Sequence, residues 1–347
     1  MSSSPRMTKL GSRLLGVSPF RSKRARIRLQ WFKAFDRHSR RLSGHVVTMT
    51  SQVVAMRVPG HVSRFFQRED GLVTEHIAAH PFDVATRVER VGSRCQGRTT
   101  DAYWAFIGPF GGVTAATLLR AVLEDEARAG DPLALTVNFC AAISRGDFDL
   151  EVRQSRANRS TQHWSIVLSQ ADGGIAATAS AVLAVRREGF SHQPARRPHA
   201  AVFETLAPFP TLATAAWVQQ YEFRFAEGAL NIGPEPRAVP GSPLSQFWIR
   251  DVPVRPLDFL SLAAMGDAFF ARIFHVRGAL VPFGTVSLTT YFHVDAAELA
   301  QLGTGPILAV ADASVFHKGF SDQKGELWSQ GGQLLATCYQ IGYFRDR

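Results

Sequence analysis

The same order of elements occurs twice along this chain of 347 residues. In each copy an apolar pattern with helical spacing is followed by a run of strand-like segments. The first copy has its helix at 113–129 and strands at 133–139, 148–155, 162–170 and 175–186, and the second has its helix at 257–274 and strands at 284–293, 306–317, 323–330 and 333–345. One helix followed by antiparallel strands predicts a curved sheet wrapped around its helix. The chain is therefore expected to contain two such units in tandem.

The two copies also share sequence. The segment LTVNF at 135–139 corresponds to LTTYF at 288–292, and SQADGG at 169–174 corresponds to SQGG at 329–332. The first of these Gly-rich stretches is also a hairpin signal between two strands. An internal duplication explains this similarity between the halves. Two copies are too few, and each is too long, for a solenoid. Two sheets joined side by side would bury their edge strands against each other.

The boundaries between these units follow from composition. Residues 187–213 contain Pro194, Pro198, Pro208 and Pro210, which is typical of a linker. We therefore predict a first unit at 61–190, a linker at 191–213 and a second unit at 214–347.

The first 60 residues differ from the rest of the chain in charge. They hold three Lys and ten Arg against one acid, Asp36, so their net charge is +12 and the remaining chain carries −2 of the total of +10. Residues 1–60 are expected to be a disordered basic extension, or to precede a true start at Met49 or Met56. A transit peptide and a contact for anionic lipid or nucleic acid through 21–41 are the other interpretations. No nucleic-acid binding is expected of the folded units.

Two compositional features exclude other classes of protein. No apolar run approaches 18 residues, so no stable membrane insertion is expected. The three cysteines, Cys95, Cys140 and Cys338, are far apart and suit neither a disulfide framework nor a zinc site. Cys338 lies in an apolar run and is expected in the core. We expect a protein of a reducing compartment without metal or cofactor.

The second half differs from the first in its polar residues. Asp267 stands among apolar residues of the predicted helix, while Thr285 and Gln340 lie in strands. The alignment of the halves places Ala181 opposite Gln340, and the first helix has no matching acid. An acid, a hydroxyl and an amide can orient a water molecule, although an outward-facing aspartate and ordinary strand residues explain the pattern too. One active site per chain is expected, in the second half.

Three motifs resemble the acyl-CoA thioesterase II family, over about residues 80–347. They are Met265-Gly266-Asp267, the strand from Thr285 to Tyr291-Phe292-His293, and a closing stretch from Trp328-Ser329 through Leu334-Leu335-Ala336 to Gln340. The resemblance implies an α+β double-hotdog fold in which Asp267 on the central helix, Thr285 and Gln340 activate a water. Two departures are visible. The Asp-to-Thr interval is shorter than in better-known members, and Cys140-Ala141-Ala142 replaces a common Leu-Arg-Pro.

The resemblance also implies a function. The chain would hydrolyse fatty acyl-CoA thioesters to free acid and CoA, in the cytoplasm or, with a transit peptide, in an organelle, and as a homo-oligomer. Gly111 and Gly112 permit close backbone approach at the start of the first helix. The predicted substrate-binding residues are Gly111, Gly112 and Gly266 near the thioester and Arg156, Arg159 and Ser160 for the CoA phosphates. A solvated basic face explains these arginines equally well.

Three alternatives to hydrolysis by an activated water fit the sequence less well. A serine-hydrolase thioesterase needs a Gly-x-Ser-x-Gly elbow, which the sequence lacks. A hotdog hydratase acting on enoyl-CoA uses an Asp–His pair, and neither His275 nor His293 stands in such a motif. A non-catalytic acyl-CoA-binding protein would lose the water-activating residues that this chain retains.

Overall fold

The computed structural model describes residues 64–68, 71–75, 79–92, 94–171, 173–211 and 214–345. All of them belong to one compact unit, His61–Arg347. The predictions made for residues 1–60 therefore lie outside the described residues. Within these ranges no helix has the length and hydropathy needed to cross a bilayer.

Most strands of the described ranges form one antiparallel sheet of thirteen strands. Those of the first half are β3 (Val88–Val91), β4 (Arg94–Arg98), β5 (Asp131–Phe139), β6 (Asp147–Ala157), β7 (Thr161–Ser169) and β8 (Ile175–Ala184). Those of the second half are β9 (Tyr221–Glu227), β10 (Ser245–Asp251), β11 (Phe283–Phe292), β12 (Ile307–Asp312), β13 (Phe316–His317), β14 (Phe320–Trp328) and β15 (Leu334–Phe344). A separate hairpin precedes them, formed by β1 (Arg64–Arg68) and β2 (Gly71–Glu75).

The two halves are joined edge to edge through β5 and β11. The sheet order is β3-β4-β6-β7-β8-β5-β11-β15-β14-β12-β10-β9, with β13 paired to β14. Leu288 lies opposite Val137 across the joint, and the hydroxyls of Thr136 and Thr289 are hydrogen-bonded at 3.0 Å. The predicted side-by-side joining of two sheets is confirmed, and with it the α+β double-hotdog architecture.

Five α-helices accompany the sheet in the described ranges. They are α1 (Pro81–Ala85), α2 (Gly111–Leu123), α3 (Phe259–Met265), α4 (Arg272–Arg277) and α5 (Ala296–Leu302). The central helices α2 and α3 are buried almost throughout and pack against each other. A Cβ on Gly112 would lie 2.4 Å from the carbonyl oxygen of Ala264, so only glycine permits this close approach.

Three predicted elements have different boundaries in the structure. The helix predicted at 257–274 is wrong, because the chain forms α3 and α4 with a turn at 266–271 between them. Asp258 caps the N–H of Ser261 and fixes the start of α3. The helix predicted to reach residue 129 ends at Leu123, since the Asp125 side chain accepts the N–H of Ala127 in a turn. The strand predicted at 306–317 is interrupted where Asp322 accepts the N–H groups of Ser314 and Val315.

The segment predicted as a linker packs along the second half. Phe203 is buried in a cluster with Trp248, Leu308 and Trp328. The indole N–H of Trp248 donates to the carbonyl of Ala201 at 2.8 Å. The connection between the halves is thus held in place by specific contacts.

Candidate active site

The side-chain amide of Gln340 connects the three residues predicted to activate water. Its Nε2 donates to Oδ1 of Asp267 at 2.5 Å and to Oγ1 of Thr285 at 2.8 Å. Asp267 and Gln340 are buried, with 8% and 5% of their surface exposed, and Thr285 is half-buried. The structure therefore brings together a carboxylate, a hydroxyl and an amide from distant parts of the chain.

Asp267 lies just beyond a helix and not on one. Helix α3 ends at Met265 with Gly266 as its cap, and the N–H of Asp267 donates to the carbonyl of Ala264 at 3.1 Å. The prediction that this aspartate sits on the central helix is therefore wrong by about half a turn. A Cβ on Gly266 would lie 3.2 Å from the hydroxyl of Thr290. The predicted substrate-binding role of Gly266 stays a prediction.

Thr285 faces inward because β11 contains a β-bulge. The inward residues Leu288, Thr290 and Phe292 would, by strict alternation, place Val286 inward and Thr285 outward. The register instead shifts by one residue, so that Thr285 lies opposite Gly342 and Ser287 opposite Ile341. The extra residue, Val286, is exposed. Such bulges re-aim side chains next to active sites.

The first half of the chain completes this group through the start of α2. The backbone of Gly112, in the first turn of α2, lowers the pKa of the Asp267 carboxyl. A Cβ on Gly111 would lie 2.5 Å from Oδ2 of Asp267, so a side chain there would displace the carboxylate. Both glycines predicted near the thioester are therefore beside Asp267. The site was expected in the second half alone, but residues of the first half also lie beside Asp267.

Burial controls the charge of Asp267. It raises the pKa of the carboxyl from 3.8 to about 7, against the hydrogen bonds from Gln340 and Gly112, which lower it. Burial, with the Asp267 charge as a smaller cause, also raises the pKa of the Cys338 thiol, so this core cysteine stays protonated. A carboxyl group with a pKa near 7 can take and return a proton at neutral pH.

Gln323 is a member of this cluster that the sequence analysis missed. Its Nε2 donates to Oε1 of Gln340 at 2.9 Å, and both side chains are buried. The sequence carries no clear signal for it, because the shared Ser-Gln at 169–170 and 329–330 aligns Gln323 with His163. The strand pairing shows the difference between the halves, with Gln323 opposite Gln340 in the second and Trp164 opposite Ala181 in the first.

The residues predicted to hold the CoA phosphates lie elsewhere. Ser160 is in the turn between β6 and β7, near the end of β8 where Ala184 pairs with Thr161. The Asp267 group lies by the opposite end, where Phe139 pairs with Ala177 and its ring would meet a Cβ on Gly111 at 3.3 Å. From Ala177 to Ala184 a strand rises roughly 23 Å. The structure does not bring Arg156, Arg159 and Ser160 to the Asp267 group, and their phosphate role stays a prediction.

The sequence matches two family models in tandem. Residues 100–186 match the acyl-CoA thioesterase N-terminal domain, and residues 192–344 match the acyl-CoA thioesterase C-terminal domain. The two matches together span most of the chain. The first includes Gly111 and Gly112, and the second includes Asp267, Thr285, Gln323 and Gln340.

Solved structures share this fold. A conserved hotdog-fold protein of unknown function from Alicyclobacillus acidocaldarius is 39% identical, with a TM-score of 0.73, and the similarity covers 78% of this chain and all of that one. An acyl-CoA thioesterase II from Mycobacterium marinum is 18% identical, with a TM-score of 0.60, over 77% of this chain and 98% of its own, a similarity of fold. No curated protein sequence gives a significant match. With both domain models matched in order on a double-hotdog fold, the chain belongs to the acyl-CoA thioesterase family.

Proposed function

We propose that this protein hydrolyses fatty acyl-CoA thioesters to the free acid and CoA, with a water molecule activated by Asp267, Thr285 and Gln340. The observation that carries the proposal is the pair of hydrogen bonds from Gln340 to Asp267 and Thr285. Because the Gln340 amide occupies the acceptor side of the Thr285 hydroxyl, that O–H is directed elsewhere. It is available to a water lying beside the carboxylate.

In the first step Asp267 acts as the general base. It takes a proton from the water while the water oxygen attacks the thioester carbonyl carbon. A pKa near 7 suits this role, because the carboxyl is substantially ionised at neutral pH and still basic enough to accept the proton. General base action of this kind contributes about 10² to 10⁴ in rate.

The N-terminus of α2 supports the negative charge that forms on the carbonyl oxygen. The first N–H groups of a helix have no partner within the helix, and its dipole places partial positive charge there. Helix α2 begins at Gly111, beside Asp267, so the attacked carbonyl would lie close to both. One such donor is typically worth about 3 to 4 kcal/mol of the barrier.

Collapse of the tetrahedral intermediate completes the reaction. The C–S bond breaks, the electron pair leaves on the CoA sulfur, and the proton held by Asp267 passes to that sulfur. Water and thioester are thus converted to carboxylic acid and CoA thiol, and Asp267 returns to its ionised form. No further reactant is needed to balance the step.

Thiol release from a panel of short, medium and long acyl-CoAs tests the proposal. The wild-type chain is compared with Asp267→Asn, which preserves the size of the side chain, and the fold of both is checked by thermal unfolding. Hydrolysis by wild type that falls by at least about 10² in the folded variant supports general base action. Absence of hydrolysis across the panel, with acyl-CoA still bound, would overturn the proposal and favour an acyl-CoA-binding protein.

A further inference from the structure

Two buried amides share one rung of the sheet beside the candidate site. Gln323 on β14 lies directly opposite Gln340 on β15, and each side chain is 5% exposed. Gln340 can satisfy Asp267 and Thr285 only when its NH₂ group is turned toward them. Its carbonyl oxygen then points the other way, and Gln323 donates to that oxygen at 2.9 Å.

We infer that Gln323 is a positioning residue for the hydrolytic reaction, which holds the Gln340 amide in the one orientation that donates to both Asp267 and Thr285. The inference rests on the proposed function. Without a donor at this place, the Gln340 amide could rotate by half a turn and present its oxygen to the carboxylate. That orientation would set the amide oxygen against the Asp267 carboxylate, and it would turn the Thr285 O–H toward the amide, away from the water.

The first half of the chain shows that the fold itself does not need amides here. Trp164 lies opposite Ala181 on β7 and β8, at the rung that corresponds to Gln323 and Gln340. Both of these residues are buried and apolar. The neighbouring rung matches as well, with Leu168 opposite Ala177 and Leu327 opposite Ala336. The same ladder is therefore built with an apolar pair in one half and an amide pair in the other.

The second carboxamide atom of Gln323 points to a role beyond stability. Its Oε1 is buried and finds no hydrogen-bond partner among the described residues. Leaving a buried acceptor unpaired lowers stability. An apolar side chain would avoid that loss at this position, and the hydrogen bond donated to Gln340 accounts for the glutamine.

A double-mutant cycle on the full chain tests the inference. The variants are Gln323→Met, Gln340→Met and the double variant, because the unbranched Met fills the volume of Gln without its hydrogen bonds. We expect Gln323→Met to lower kcat for thiol release about tenfold or more while KM changes less than about twofold. In the Gln340→Met background the same change should have no further effect on kcat. The control is Gln162→Met. Gln162 is a buried glutamine of the first half that is hydrogen-bonded to the backbone of Ala127 and Ala129, so its replacement should lower the melting temperature only.

Each outcome of the cycle has a separate meaning. Wild-type kcat in Gln323→Met, or losses that add in full in the double variant, would overturn the positioning role while hydrolysis stands. Absence of hydrolysis in wild type would overturn the proposed function. In that case the coupling of the two glutamines in the free energy of unfolding still decides whether the amides act as a pair, since independent residues give additive losses.

Discussion

Gly111 lies so close to the carboxylate of Asp267 that a Cβ there would be 2.5 Å from Oδ2, although the two residues belong to different halves of the chain. The acid comes from the turn after α3 and the glycine from the first turn of α2. The candidate site therefore lies between two central helices, with its side chains from one half and the helix N-terminus from the other.

Gly111→Ala should lower kcat/KM by at least about tenfold, because the new methyl group would lie 2.5 Å from Oδ2 of Asp267 and must displace it. The matched control is Gly284→Ala on β11, where a Cβ meets no atom within 4 Å although Thr285 is the next residue. Thiol release measured on both variants checks this. Equal activity of the two would contradict the role assigned to close packing at Gly111.

The pH dependence of kcat/KM should follow the ionisation of Asp267. The base must be ionised, so activity should fall about tenfold per pH unit below its pKa of about 7 and level off above it. Asp251 provides the control, since burial raises its pKa to about 7 as well and it makes no contact with the Asp267 group through hydrogen bonds. The variant Asp251→Asn should keep the wild-type midpoint. If the midpoint of the profile moves in Asp251→Asn, the titrating group is Asp251 and not Asp267.

The same ionisation should make stability depend on pH. The folded pKa of Asp267 lies above the value of about 3.9 for an unfolded aspartate, so between pH 4 and 7 the folded state binds more protons. The free energy of unfolding should therefore decrease as pH rises through this window and stay constant above it. Asp267→Asn removes this loss, which is on the order of 3 kcal/mol. Denaturant unfolding at pH 4.5 and pH 8 measures the free energy of unfolding of wild type and variant. If the difference between the two pH values is the same in both proteins, the assignment to Asp267 is refuted.

Thr285→Val should lower kcat about tenfold or more, since it removes the hydroxyl that accepts from Gln340 and that faces the water in the proposed mechanism. Thr285→Ser keeps the hydroxyl and should retain most of the activity. Val286→Thr is the control on the exposed side of the bulge and should leave kcat unchanged. A loss in Val286→Thr as large as that in Thr285→Val would mean that the bulge, and not the hydroxyl, was disturbed.

Phe203→Ala should reduce the free energy of unfolding by about 3 kcal/mol. The ring is buried against Trp248 and Trp328, and the guanidinium of Arg224 stacks on it at 4.1 Å. Phe190→Ala, at a position 96% exposed just before the predicted linker, should have little effect. Chemical denaturation of both variants distinguishes a docked connection from a free linker.

The strands and the pairing of the halves were predictable because their signals are local or repeated. The alternation of apolar residues marks β14 and β15, and the shared LTVNF and LTTYF segments mark β5 and β11, which pair with each other. The residue types of the candidate site, Asp267, Thr285 and Gln340, followed from the family resemblance. Its assembly by Gln340 is a property of the three-dimensional structure.

The remaining features depend on tertiary contacts that no local pattern carries. The break after α3 was hidden because Phe269 and Phe270 are buried like the helix before them, so the apolar run continues without a helix. The bulge at Val286 inverts the face that alternation assigns to Thr285. The contact of Gly112 with Asp267 joins residues that are far apart in sequence.

The joint between β5 and β11 has a consequence for synthesis of the chain. Strand β5 leaves the ribosome long before β11, which begins at Phe283, so at the usual rate of elongation its outer edge stays unpaired for on the order of 10 s. An unpaired edge is a template for another strand, and neighbouring nascent chains on one messenger present the same edge to one another. The first half of this protein therefore presents an open pairing edge until its own second half arrives to cover it.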